Sequence, residues 1–198
     1  MTSTLTAALL LVAAVSADAQ VLSTAETLGK GKSGLLVSEN VIDPGAGIPN
    51  LNLAYGEYAR GLSDRFDLYL AAGATATDGA TQWWAGGGGN LRLARIRKVS
   101  LSFFTMAALP ITRRDEACLV LWNPALIASV PLNKALTLYS GVNALVPIGD
   151  RQRGVFTPPS AKVNAPLGAT YAIGSWGVWG EADIGPLKAV GLGLTRMF

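Results

Sequence analysis

The stretch FDLYLAAGA, residues 66–74, alternates between two kinds of side chain at every step. Its even-numbered positions hold Phe, Leu, Leu, Ala and Ala, whereas its odd-numbered positions hold Asp, Tyr, Ala and Gly. Because successive side chains of an extended chain point to opposite faces, this period of two predicts a β-strand. One face of the strand is apolar, and the other carries Asp67 and Tyr69.

The same alternation recurs along most of the chain. About ten strands are predicted, each close to the roughly 9–11 residues that cross a bilayer when tilted, at residues 27–38, 50–61, 66–76, 82–94, 100–111, 118–130, 136–148, 162–173, 176–184 and 189–198. The segments 27–38 and 118–130 alternate poorly, so eight or twelve strands also fit the sequence.

The connections between these segments alternate between short and long. Turn-forming residues mark short connections at 61–64, 95–98, 131–134 and 174–175, and longer ones at 39–50, 77–81, 112–117, 149–161 and 185–188. Tight turns at one end and longer loops at the other are typical of membrane barrels. The pattern predicts an all-β fold, an up-and-down antiparallel transmembrane β-barrel.

The composition agrees with a barrel that faces lipid. Half of the 198 residues are hydrophobic and only 15% are charged, yet no apolar run reaches the roughly 18 residues that a membrane-spanning helix needs. Apolar side chains at every second position of a closed sheet explain both observations, because the barrel pairs its own backbone groups.

The N-terminus predicts an export signal. Residues 5–17, LTAALLLVAAVSA, form an apolar segment, and Ala17-Asp18-Ala19 fits a small-x-small cleavage site, although no basic residue precedes the segment. We therefore expect a signal peptide at residues 1–19 and a barrel domain at residues 20–198. A short buried or anchoring helix is the alternative.

Several function classes are disfavoured by what the sequence lacks. It contains no histidine and one cysteine, which removes the commonest general base and most zinc and thiolate sites. The net charge of +3 is spread thinly, so no nucleic-acid partner is indicated. The sequence predicts no enzyme activity, no metal site and no cofactor.

The C-terminus carries a family resemblance. Residues 190–198, VGLGLTRMF, alternate apolar residues with glycine or polar ones and end on Phe198. This segment resembles the final strand of outer-membrane β-barrel proteins of Gram-negative bacteria, and residues 55–68 resemble their strand–turn–strand units. The resemblance implies an outer-membrane location, contact with outer-membrane lipids and lipopolysaccharide, and recognition of Phe198 by the barrel-assembly machinery. Arg196 departs from the usual apolar or aromatic residue.

Some outer-membrane barrels are enzymes, including the omptin proteases, the outer-membrane phospholipase and the lipid A acyl-modifying enzymes. They resemble this chain in architecture, but their activities rely on a histidine that this sequence lacks. Their activities are therefore not expected here.

Strand alternation assigns polar side chains to the barrel interior. If Phe66 faces lipid, the lumen-facing candidates are Arg60, Asp67, Tyr69, Arg92, Glu181 and Asp183. They form either an ion-pair network that fills a narrow barrel or a conducting or ligand-binding site. The same alternation places Glu57 on the lipid side.

Amphipathic aromatic side chains favour the membrane–water interface. The candidates for such interfacial residues are Tyr55, Trp83, Trp122, Tyr171 and Trp176. Ordinary packing is the alternative role for each of them.

These observations predict a non-enzymatic outer-membrane barrel that is structural or forms a narrow passive pore for small solutes. One alternative is an adhesin or lipopolysaccharide-interacting protein that uses the loops 39–50 and 149–161. Another is a soluble periplasmic β-barrel or β-sandwich that carries an apolar ligand.

Overall fold

The computed structural model describes residues 24–43, 45, 49–77, 80–111, 120–149 and 161–198. The predicted signal peptide, residues 1–19, lies outside this range. Within the described residues, no helix is long and apolar enough to span a membrane.

Ten strands make up the described fold. They are β1 (Ser33–Asp43), β2 (Leu51–Gly61), β3 (Phe66–Thr77), β4 (Ala80–Ile96), β5 (Val99–Pro110), β6 (Val120–Pro131), β7 (Leu136–Ile148), β8 (Lys162–Ile173), β9 (Trp176–Ile184) and β10 (Lys188–Met197). Each strand pairs antiparallel with its neighbours in sequence, and β1 pairs with β10 to close the barrel. The predicted all-β, up-and-down barrel is confirmed with ten strands rather than eight or twelve.

The first strand begins later than its predicted range of 27–38. Gly29 and Gly31 have φ angles of 86° and 84°, which lie outside the extended region and end any strand there. At its other end β1 continues to Asp43, which is paired with Lys188. Part of the predicted connection 39–50 is therefore strand.

The barrel has two unlike ends. The turn side carries the tight connections 62–65, 97–98, 132–135 and 174–175, and the loop side carries the connections 44–50, 78–79, 111–119, 149–161 and 185–187. The two four-residue turns have the same hydrogen bonds, since Leu62 N and Ser63 N donate to Phe66 O just as Leu132 N and Asn133 N donate to Leu136 O. Their geometry sets the register of the strands that they join.

Side chains on the inner face are small wherever an aromatic ring needs space. Trp179 points inward, and a Cβ atom added at Gly191 or Gly193 would meet its ring at 2.8 Å or 3.2 Å. A Cβ atom at Gly168 would collide with the ring of Tyr139. The glycine-rich strands therefore let large side chains fill a narrow lumen.

Candidate functional site in the barrel lumen

Residues 24–32, which we call the plug, fill the turn-side end of the lumen. Thr24, Ala25, Thr27 and Leu28 are each 5% exposed or less. Ala25 packs in one buried cluster with side chains from the barrel wall, namely Ala125, Ile127, Tyr139 and Trp179. The plug is thus part of the barrel core at this end.

Hydrogen bonds to the barrel wall hold the plug. Leu28 N donates to Asp67 Oδ2 at 2.9 Å, and the Thr27 hydroxyl donates to Asp64 O at 2.8 Å. Asn90 Nδ2 donates to Thr24 O at 3.4 Å. The bonds that Leu28 N donates and Thr24 O accepts satisfy backbone groups in buried surroundings.

Glu26 anchors the plug through its carboxylate. Ser100 Oγ donates to one of its oxygens at 2.6 Å, and a guanidinium nitrogen of Arg92 lies 3.4 Å from the other. A second guanidinium nitrogen of Arg92 donates to Asp64 O at 2.7 Å. Arg92 therefore joins the plug to the β2–β3 turn.

On the loop side of the plug the lumen holds a cavity of about 330 Å³. Most of its wall is apolar, and its aromatic rings come from four strands: Tyr55, Trp84, Phe104 and Trp179. The cavity reaches the loop-side ends of the strands, where Ile42, Leu121 and Ala189 line it. Its volume lies at the lower end of the range of small-molecule sites.

Three carboxylates also line this cavity, from Glu57, Glu181 and Asp183. The Tyr139 hydroxyl donates to Glu181 Oε2 at 2.7 Å, and Asn143 Nδ2 donates to Asp183 Oδ1 at 3.2 Å. No lysine or arginine is among the described residues that line the cavity. The carboxylates do not converge as a metal site, since no such cluster occurs in the described ranges.

Glu57 is the most buried of these carboxylates, with 6% of its surface exposed. Its side chain faces the cavity, and it has no hydrogen-bond or ion-pair partner within the part of the chain that the structure describes. The cavity therefore carries carboxyl groups that no described basic residue in its lining balances.

Five of the six predicted lumen residues lie on the inner face, namely Asp67, Tyr69, Arg92, Glu181 and Asp183. They do not form one network, because Asp67 and Arg92 hold the plug while Glu181 and Asp183 line the cavity.

Arg60 was predicted to face the lumen, but it lies exposed on the outer face. The four-residue turn pairs Gly61 with Asp67 and Arg60 with Leu68, so Arg60 shares the outward face of Leu68. A shift of one residue in this register exchanges the two faces of a strand. For the same reason Glu57, expected on the lipid side, lies inside.

The predicted interfacial aromatics divide between two rims and the interior. Trp83 and Trp122 lie on the outer face near the loop side, and Tyr171 and Trp176 lie on it near the turn side. Tyr55 is the exception, because it faces the cavity with its ring centroid 5.9 Å from that of Trp84. Both Tyr55 and Arg60 were predicted to lie on the wrong face, because the register of β2 reverses the two faces of this strand.

The C-terminal residue closes the barrel at the turn side. Phe198 N donates to Ser33 O at 2.9 Å, and the Phe198 side chain is exposed on the outer face. The guanidinium of Arg196 lies 5.1 Å from the centroid of the Trp176 ring and 5.5 Å from that of Phe198. Cation–π contacts of this kind explain how an arginine is accommodated in the final strand.

Sequence reasoning missed the plug, including Glu26 and its contacts. The signal was present in the two glycines at positions 29 and 31, which interrupt the segment that had been assigned to a strand. Most of the loop 149–161, which the adhesin or lipopolysaccharide-binding alternative uses, lies outside the described residues.

No protein-family model matches the sequence, and no curated protein matches it. Among solved structures, the chain is similar to the COG4313 outer membrane channel from Pseudomonas putida F1, with a TM-score of 0.54 and 12% identity over 90% of this chain and 100% of that chain. It is also similar to the N-terminal β-barrel domain of Pseudomonas aeruginosa OprF, with a TM-score of 0.45 and 10% identity over 86% of this chain and 99% of that one. The similarity to the channel shows a shared fold, a closed antiparallel β-barrel.

Proposed function

We propose that this protein is a non-enzymatic outer-membrane β-barrel of the pore type. The observation that carries the proposal is the closed ten-stranded barrel whose outer face is apolar between two aromatic rims. A soluble barrel would expose this surface to water, and large exposed apolar surfaces mark membrane or partner contacts.

Apart from Glu39, the outer face has the charge distribution that a bilayer requires. Its mid-strand positions expose aliphatic side chains such as Leu70, Val142 and Leu192. Outward charged residues lie near strand ends, as Arg60, Lys188 and Arg196 do. Glu39 is the exception, because it lies on the outer face near the middle of β1 and pairs with Leu192, where charge costs more than near the strand ends.

The proposal places the turn side in the periplasm and the loop side at the cell surface, as in barrels of this topology. In this orientation the apolar face contacts outer-membrane lipids and lipopolysaccharide, and the C-terminal strand with Phe198 is presented to the barrel-assembly machinery.

The proposed lumen is reached from the loop side and closed at the turn side by the plug. Buried plug residues and the Arg92–Glu26 ion pair support a closed state. Passage of a solute through the barrel then requires displacement of the plug, whereas entry into the cavity does not.

Membrane fractionation with heat-dependent gel mobility tests the proposal. We expect the protein in the outer-membrane fraction, with different mobility in unboiled and boiled samples because a folded barrel resists detergent. Recovery in the soluble fraction with no change in mobility on boiling would overturn the proposal.

A further inference from the structure

The loop-side cavity combines two features that single out one class of ligand. Its wall is mainly apolar and aromatic, and its charged groups are the carboxylates of Glu57, Glu181 and Asp183. We propose that this cavity binds a small organic cation, an ammonium group attached to an apolar body.

The charge of the ligand follows from Glu57. A buried carboxylate needs a hydrogen-bond donor or a counter-charge, because removal from water is otherwise costly. Glu57 is 6% exposed, faces the cavity, and has neither kind of partner among the described residues. An ammonium group in the cavity supplies both a donor and a counter-charge.

The second and third carboxylates are held in position by the barrel wall. Tyr139 donates to Glu181 at 2.7 Å, and Asn143 donates to Asp183 at 3.2 Å. Each bond comes from β7, so the two acidic side chains of β9 are fixed toward the lumen before a ligand arrives. Such preorganisation reduces the ordering that binding requires.

The aromatic rings that line the cavity indicate that the ligand has an apolar body. Tyr55 of β2 and Trp84 of β4 pack against each other over Gly73 of the intervening strand β3. Phe104 and Trp179 line the same space. Aromatic faces attract cations and bury apolar groups. A bare metal ion fits this wall poorly, and the described carboxylates do not form a metal-binding cluster.

This inference rests on the proposed access to the lumen from the loop side, but it requires neither conduction nor a membrane. Binding is measured on the purified full-length protein in detergent micelles, using the fluorescence of the cavity tryptophans. The probes are 2-phenylethylammonium, its neutral analogue 2-phenylethanol and the anion phenylacetate. Heat-dependent gel mobility verifies folding independently, so failed binding is distinguishable from a failed barrel.

We expect 2-phenylethylammonium to bind at least about tenfold more tightly than 2-phenylethanol, because a hydrogen bond to a charged group contributes at least that difference in affinity. Phenylacetate should not bind. The variant Glu57→Gln retains shape and removes the charge, so it should weaken binding of the cation by about tenfold and leave the alcohol unaffected. The matched control is Glu39→Gln, because Glu39 is exposed on the outer face.

Equal affinity for the ammonium and the alcohol would overturn the assignment of a cation. Absence of binding by all three probes to the folded protein would overturn the site itself. If Glu57→Gln does not fold, Glu181→Gln and the probe selectivity of the unaltered protein decide the question in the same way.

Discussion

The two halves of the lumen are built from the same ten strands, yet they differ in what fills them. In β4, Arg92 faces the turn-side half and binds the plug, whereas Trp84 on the same face lines the loop-side cavity. The turn-side half pairs Glu26 with Arg92, while the loop-side cavity is lined by three carboxyl groups and by no described lysine or arginine. One barrel thus contains a packed core at one end and a cavity lined by acidic groups at the other.

The comparison shows that alternation builds the wall but does not decide what the wall encloses. Inner-face glycines provide space at both ends, and the plug occupies that space at only one of them. Substitutions that displace the plug or remove a cavity carboxyl group therefore test whether the two halves differ in this way.

The largest effect is expected for Ala25→Asp. This residue is fully buried against Ile127 and Trp179, where an unpaired charge costs about 3–5 kcal/mol. We expect the plug to leave the turn-side half while the barrel persists, so that single-channel recordings change from near silence to discrete openings. Ala135→Asp in the β6–β7 turn is the control. Continued silence of a folded Ala25→Asp barrel would show that the plug does not close the lumen.

The boundary between the halves lies at Tyr139, which packs with Ala25 on one side and binds Glu181 on the other. Gly168→Ala forces a Cβ atom into this ring. We expect the free energy of unfolding to fall by about 2 kcal/mol, a usual cost of overpacking. Gly56→Ala is the control, because a Cβ atom there meets its nearest neighbour only at 3.9 Å. Equal stability of the two variants in urea titrations would contradict the packing described for Tyr139.

Removal of an ionisable side chain should lower stability in the turn-side half but not in the loop-side half. Arg92→Met breaks the bonds to Glu26 and to Asp64 O and should lower the free energy of unfolding by about 1 kcal/mol, since both partners are partly exposed. Glu57→Gln removes a buried ionisable group that has no described partner, and it should leave this free energy unchanged or raise it by about 1 kcal/mol. Urea unfolding without ligand measures both, and a loss of stability in Glu57→Gln equal to that in Arg92→Met would show that Glu57 is already compensated.

The smallest effect is expected at the turn-side rim, outside both halves of the lumen. Arg97 has a φ angle of 55°, a left-handed conformation that costs a non-glycine residue about 1–2 kcal/mol. Arg97→Gly relieves this strain but adds unfolded-state entropy, so the net gain in stability should be about 0.5 kcal/mol. We expect conductance to stay unchanged while stability rises. This result would show that barrel stability can change without any change in closure by the plug. A loss of stability would show that Arg97 is not strained.

Much of the fold could be predicted from alternation. The ranges of β7, β8 and β9 match the predicted segments, because their apolar and small residues alternate without interruption. The facing of β2 could not be predicted in this way. Both of its faces mix apolar and polar residues, and the pairing of Gly61 with Asp67 decides which face is inside.

The candidate site likewise contains some residues that the sequence pattern placed correctly and others that it did not. Glu181 and Asp183 were assigned to the lumen from the pattern of β9 alone, since Val178 and Ile184 are unambiguously apolar. Glu57 and Tyr55 were assigned to the opposite face and entered the cavity only through register. The plug residues gave no periodic signal, so their contacts with Arg92 and Ser100 were not foreseen.

The sequence by itself determined the strand period, the all-β up-and-down class and the absence of histidine chemistry, because these depend on residue types and local spacing. Only the tertiary structure decided which side chains share the lumen, where the plug lies and which carboxylates lack a partner. Those properties depend on strand register and on contacts between residues far apart in the chain, such as Glu26 with Ser100 and Tyr139 with Glu181. Local spacing does not encode such contacts, because a shift of one residue in register exchanges the inside of a strand for its outside.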